Sequence, residues 1–296
     1  MKNRQTFKVL LLFSAFLLFA GFYRITPMPK SPFQAEIAFR ALAELQENGP
    51  RTPGAVSHTL AQEFIANFLT TNGWQVQIQS GSMLNHPVHN IVATRGSGHI
   101  STILASHYDS RLFANKDPYQ NLRSLPVPGA NDGGSSTAVL LELSRILSLS
   151  ISSDIALVFF DAEDQGNISG WDWILGSRLF VQQLQQYPSK MILLDMVGGF
   201  DQKIIPPVNS DIDIYNEIQA VAVDIGNADN FLAPAKHAIL DDHVPFLEIG
   251  VPAVDLIDIV DPRWHTTADD LENVSLQSLQ RVGDTLFLWI FSDEKQ

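Results

Sequence analysis

The stretch IALVFFDAED, residues 155–164, decides how this chain is read. Its apolar run is short, rich in β-branched and aromatic residues, and unbroken, as expected of a strand buried on both faces. It ends at once in Asp161, Glu163 and Asp164, so the strand delivers acids to its carboxyl end. Five other stretches also carry acids or histidines: SHYDS at 106–110, GANDGG at 129–134, LLDMVGG at 193–199, LDDHVPF at 240–246 and RWHTTADD at 263–270.

Working outward, Ile100–Ser106, Met191–Leu194 and Pro252–Ile257 read as further strands, with Trp74–Gln79 and His89–Thr94 before them. Ala35–Asn48, Ser57–Asn72, Ser135–Leu149, Ile174–Gln186, Asp211–Ile225 and Ser275–Phe291 have helical spacing, and Ser57 is a candidate N-cap. Strands alternating with helices imply an α/β fold, a single three-layer αβα domain around a mostly parallel, mixed sheet. Such sheets bind ligands at the carboxyl ends of their strands. That is where His107, Asp161, Glu163, Asp164 and Asp195 fall.

Hard oxygen donors with imidazole suit a catalytic zinc ion, which takes three protein ligands and keeps one position open. Asp132, Asp164 and His265 are the proposed ligands; His107 and Asp195 complete a second site if Asp132 bridges. Taken singly, each residue is ordinary: an Asp after a strand is commonly a turn or cap residue. The set at one rim is what carries the metal reading. Glu163, next to a proposed ligand, is the general acid–base, because a carboxylate in a partly apolar pocket titrates nearer neutrality. Ser135 and Ser136 lie outside any nucleophile elbow, which excludes a serine hydrolase.

The bulk numbers agree. The formal charge is -13, and residues 31–296 carry 14 basic against 32 acidic groups, or -18, which argues against nucleic acid as a partner. The absence of cysteine excludes thiolate zinc sites and a Cys nucleophile. Residues 1–30 form a separate segment. Lys2, Arg4 and Lys8 precede an apolar run from Val9 to Tyr23, the order of an uncleaved signal anchor or a cleaved signal peptide. Either one places the catalytic domain of residues 31–296 on the extracytoplasmic side, membrane-anchored or secreted.

HYDS, GANDGG, the acids after the buried strand, LLDMVG and the late HT-x-x-D resemble the zinc aminopeptidase family M28. Within it, the animal-type glutaminyl-peptide cyclotransferases are the closer likeness, from Gly49-Pro50-Arg51-Thr52-Pro53-Gly54 through Gly176-Ser177-Arg178 to Asp241-Asp242-His243-Val244-Pro245-Phe246 and Trp264-His265-Thr266. The resemblance implies a zinc-aminopeptidase-like fold and zinc on Asp132, Asp164 and His265. It also implies Glu163 as proton shuttle and Asp195 with Asp241 as a carboxylate relay beside it. Trp264 would wall the substrate pocket, with Trp171 or Trp173 as the second aromatic wall. The chain departs from the cyclotransferases in four places: Asp164 where they usually have Glu, Leu240 where they carry an amide, an aminopeptidase-like GANDGG loop, and Asp255 in place of a His.

Two reactions on peptide N-termini follow from the resemblance. One is cyclisation of an N-terminal glutaminyl residue with release of ammonia, for which one zinc suffices. The other is aminopeptidase hydrolysis, for which two metals about 3.5–4 Å apart are typical. A metal-bearing receptor ectodomain with a degenerate site is a third reading, disfavoured because Glu163 and every proposed ligand are in place.

Overall fold

The computed structural model describes residues 29–95, 99–150 and 154–293. Six strands, β1 (Gln75–Met83), β2 (His86–Thr94), β3 (Thr102–His107), β4 (Ile155–Phe160), β5 (Lys190–Asp195) and β6 (Ala253–Ile257), make one sheet in the order β1-β2-β4-β3-β5-β6. The hairpin β1–β2 is antiparallel and joins β4 antiparallel, whereas β4, β3, β5 and β6 run parallel. The sheet is therefore mixed and mostly parallel. The two strand types look different in sequence for this reason: β3 and β4 are buried at every position, while β1 alternates between exposed and half-buried.

Among the described residues seven α-helices flank the sheet or one another: α1 (Ala35–Glu47), α2 (Val56–Thr71), α3 (Ser136–Ser150), α4 (Leu175–Gln183), α5 (Ile212–Asp224), α6 (Val244–Glu248) and α7 (Leu276–Asp293). Ile103, Ala105, Val158, Phe160, Met191 and Leu193 form one core with Phe180 of α4 and Phe246 of α6. Successive strand residues point to opposite faces. Helix α3 packs on β3 and carries α1 and α7 against it. There Ser106 Oγ meets Thr137 Oγ1 at 3.2 Å. Together these make the three layers.

The element bounds match the sequence reading to within a few residues, except that α6 has no counterpart in it and α4 ends at Gln183 rather than Gln186; three further differences have a visible cause. Val56 begins α2 with Ala55 as its uncapped N-cap, and Ser57 Oγ instead donates to the carbonyl of Pro50. The hairpin strands run longer than their apolar patterning, because pairing with each other extends them to Met83 and His86. Asp211, expected inside α5, is its N-cap and accepts from the N–H groups of Asp213 and Ile214. The anchor or signal segment expected within residues 1–30 falls on residues 1–28, outside the described residues; among those described, no helix is long and apolar enough to cross a membrane.

The chain passes from β3 to β4 on one side, then returns to β5 on the other side of β3. The sheet order therefore reverses at β3. A crevice opens outside the carboxyl end of such a strand, and His107 is the last residue of β3.

Candidate metal centre

Each loop at this rim turns sharply, and the backbone shows how. Ala162 after β4, Met196 after β5, and His265 itself all have left-handed dihedrals, with φ of 52°, 47° and 60°. Non-glycine residues hold that conformation at a cost, and such outliers gather at functional sites. The segment before α3 departs from helical geometry at Asp132 and Gly133, where Gly133 has φ 74°. A Cβ on Gly133 would lie 2.7 Å from His107 Cε1 and 2.8 Å from the carbonyl of Asp109. Glycine thus lets the Asp132 turn press against the end of β3.

The turns bring two groups of donors together: Asp132 with Asp164 and His265, and His107 with Asp132 and Asp195, in each case with ligand atoms within 4.8 Å of one another. All five residues are buried. Asp132 belongs to both groups. Its Oδ1 lies 3.1 Å from His107 Nε2 and its Oδ2 3.8 Å from His265 Nε2.

The two groups differ in how far they are satisfied. His107 Nε2 bonds Asp195 Oδ1 at 3.2 Å, and Nδ1 faces Asp109 Oδ1 at 3.4 Å. His265 Nε2 lies 2.9 Å from Asp164 Oδ1 but makes no hydrogen bond, and Asp132 Oδ2 and Asp164 Oδ2 are likewise buried without a hydrogen-bond partner. Orphaned buried polar atoms are costly, roughly 1–3 kcal/mol each. Two carboxylates and an imidazole converging in this way offer donors of the kind that could hold a metal ion such as zinc. Burial holds His265 down to about 3, so its imidazole is neutral and able to ligate. Burial raises Asp164 well above the carboxylate range, and the charge of Asp132 adds to this, the electrostatic strain that a cation would relieve.

Glu163 is buried beside these ligands. Burial pushes its carboxyl well above the usual range, and Asp241, Asp164 and Asp242 act in the same direction against His107. Asp241 is held at about 7 by burial and then by the charge of Asp195. Burial also raises Asp195, against its hydrogen bond with His107. Carboxyls whose affinity for protons is raised therefore stand next to the donor group.

A cavity of about 120 Å³ carries Asp132, Glu163, Asp164, Asp195, Asp241 and His265 on its surface. Its apolar walls are Trp173, Trp264, Met196, Ile239, Ile257 and Ile259, with Leu240 also lining it. His265 is flanked by both tryptophans, stacked on Trp173 at 6.0 Å and tilted to Trp264 at 4.2 Å. Trp171, the other aromatic wall considered, does not line this cavity. It stacks on His86 at 3.5 Å and packs against Val88, Ala162, Leu175 and Leu179, so the hairpin side of the sheet takes it up. A larger cavity, about 360 Å³, lies between the β1–β2 hairpin and the end of α4, and among the described residues no Asp, Glu, Lys or Arg lines it. Size alone would select it, but the converging titratable groups select the smaller one.

Two carboxylates without an assigned role brace the ligand loops. Asp109 accepts from the N–H groups of Glu163 and Asp164 and from Gln165 Nε2. Asp269 accepts from the N–H groups of Asn131 and Asp132, at 2.7 and 3.1 Å. Arg51, fully buried, donates to the carbonyls of Tyr108 and Gly129 and so ties the His107 loop to the Asp132 loop. Asp109 stands in the SHYDS stretch and Asp269 in RWHTTADD, but their pairing across the fold has no local signal.

A family model described as peptidase family M28 matches residues 90–290. Aminopeptidase YwaD of Bacillus subtilis is 29% identical over 65% of this chain, and the match spans only 41% of that relative's length. Among solved structures, a Bacteroides thetaiotaomicron glutaminyl cyclase superposes with a TM-score of 0.84 at 27% identity, covering 89% of this chain and 99% of that one. A Zn-dependent exopeptidase from Parabacteroides distasonis does so with 0.81, also at 27%, covering 89% and 99%. The likeness is nearly the same to both.

Proposed function

This chain belongs to peptidase family M28, and on that premise we propose that it is a zinc-dependent glutaminyl-peptide cyclotransferase, converting N-terminal glutaminyl residues of peptides to pyroglutamyl residues with release of ammonia. The observation that carries this reading is the asymmetry of the two donor groups. Asp132, Asp164 and His265 leave unpaired atoms for one ion, whereas His107 is already bonded between Asp195 and Asp109. Zinc on the first group would supply Lewis acidity toward the side-chain amide carbonyl.

The rest of the chemistry belongs to this chain's side chains. Glu163 accepts a proton as the substrate's α-amine attacks the amide carbon, and returns one to the nitrogen that leaves as ammonia. A carboxyl whose affinity for protons is raised by burial suits both steps. Asp241 and Asp195 hold protons and charge beside Glu163. Trp173 and Trp264 enclose the small cavity and keep out water, which would compete as a nucleophile. Peptide and protein N-termini are the substrates in this reading, and the basic-then-apolar order of Met1–Lys30 favours ones outside the cytoplasm.

Aminopeptidase hydrolysis is the second reading, favoured by the second group of donors, His107, Asp132 and Asp195. In that reaction Glu163 would deprotonate the attacking water. The purified zinc-loaded protein, incubated with Gln-Ala and Leu-Ala peptides, separates the two. Ammonia and a pyroglutamyl product are expected from the first peptide, with the second left intact. Free leucine without pyroglutamate would replace cyclisation by hydrolysis.

A further inference from the structure

Arg111 is buried to 1% exposure and is tied down by its surroundings. Nη1 donates to the carbonyl of Asp164 at 2.8 Å, Nη2 to the carbonyl of Gly166 at 2.8 Å, and Nε to Asn115 Oδ1 at 2.9 Å. Held in this way, Nη1 also reaches the Asp164 carboxylate, 3.3 Å from Oδ1. The guanidinium carbon sits 5.0 Å over the ring of Trp173, which in turn stacks on His265. Gly166 permits this, since a Cβ there would fall 2.0 Å from the Trp173 ring. One fixed cation therefore touches a proposed ligand directly and reaches a second through the aromatic wall of the pocket.

A brace for the loop alone needs only the two backbone carbonyls; the carboxylate contact is additional and has an electrostatic consequence. A guanidinium cannot lose its charge in a protein. In a buried setting its field on a neighbouring carboxylate is large. We propose that Arg111 is a positioning residue that neutralises part of the charge of Asp164, so that Asp132, Asp164 and His265 hold their metal less tightly but leave it more strongly electrophilic. The inference rests on those three residues being the metal ligands.

The two roles predict opposite signs. A brace, when removed, loosens the ligand and weakens zinc binding. A charge-withdrawing cation, when removed, strengthens zinc binding and slows turnover. The test is zinc affinity by competition with a chromogenic chelator, read together with kcat, on the full chain carrying Arg111→Gln and Arg111→Lys. Arg111→Gln is expected to bind zinc about tenfold more tightly, with kcat lowered about tenfold and KM little changed. Arg111→Lys keeps the charge and should stay within about threefold of the parent zinc affinity. Zinc affinity unchanged or weakened in Arg111→Gln overturns the proposal and leaves Arg111 a brace. If that variant does not fold, Arg111→Lys decides, since a tenfold weaker affinity there overturns the proposal equally. Failure of the parent protein itself to bind zinc would sink the metal reading instead, a distinct outcome.

Discussion

Two neighbouring groups of buried acids meet the cost of burial in different ways. Asp132 and Asp164 line the cavity with His265, their donor atoms within 4.8 Å of one another. Asp241, Asp242, His243 and Asp255 are buried as well, with His243 Nδ1 3.9 Å from Asp255 Oδ2, and among the described residues they form no such convergent group. Burial raises Asp242 and Asp255 well above the carboxylate range, with Asp241 as the next contributor, and it lowers His243 to about 4. The first group has the geometry to be neutralised by a cation. In the second, burial favours protonated carboxyls and an uncharged imidazole. The comparison teaches that buried acidity alone does not mark a metal site; convergence of unpaired atoms does.

The sharpest break between the groups should come at Glu163, which stands between them. Glu163→Gln removes the proton carrier but no ligand. Activity toward the preferred peptide is expected to fall by about 10³ while zinc content, read by elemental analysis, stays at the parent level. Appreciable turnover in this variant would remove Glu163 from the chemistry. Asp164→Asn tests the other side. Loss of a ligand should exceed the cost of losing an outer-shell partner, so zinc affinity is expected to fall by more than about 100-fold, with folding intact by circular dichroism. Retention of parent affinity would move the metal elsewhere.

These two experiments also separate what the sequence made legible from what it did not. Strand β4 was legible to the residue, because a parallel strand buried on both faces writes itself as an unbroken apolar run. Asp164 was legible as an acid just past a buried strand and Asp132 and His265 as an acid and a histidine in the GANDGG and RWHTTADD stretches, and the turns do bring the three together. The left-handed backbone at Ala162 and Met196 was not, since those residue types carry no preference for it, and His, though enriched there, adopts it too rarely for His265 to be read from sequence. Nor was the bracing of Asp132 by Asp269, which joins positions 137 residues apart. The choice between Trp171 and Trp173 depended on which side of the rim the loop after β4 turned, and only three-dimensional packing decides that.

The proton-based group should reveal itself through pH. Asn209 Nδ2 donates to His243 Nε2 at 3.0 Å, so the neutral imidazole keeps its proton on Nδ1. Its folded value of about 4 lies below the ordinary 6.5. Between those values the unfolded chain binds the proton and the folded one does not, so stability present above pH 6.5 is lost as pH falls toward 4. The depression corresponds to about 3 kcal/mol at about 1.4 kcal/mol per unit. His243→Gln should flatten this acid limb relative to the parent, as read from urea midpoints at several pH values. Parallel limbs in the two proteins would mean that His243 is charged in the fold.

The smallest effect, and the one most specific to the comparison, is expected at Asp255. Its folded value is raised, first by burial and then by Asp241, so the linkage runs opposite to that of His243. The unfolded chain gives up the proton near pH 3.8 and the folded chain keeps it. Stability is therefore full below that pH and declines as pH rises. Asp255→Asn replaces a carboxyl that is neutral in the fold by a group that never ionises, so it removes the decline. The extra amide N–H group must find an acceptor in the cluster, which offsets part of the gain, and about 1 kcal/mol of stabilisation at pH 7 is expected to remain. Near pH 3.5 the gain vanishes and only the cost of the amide remains, so the variant should be slightly the less stable of the two. The same chemical change that weakens metal binding at Asp164 would then stabilise the protein at Asp255. A variant less stable than the parent at pH 7 would show that Asp255 is ionised in the fold, and the two groups would no longer differ in the way they are neutralised.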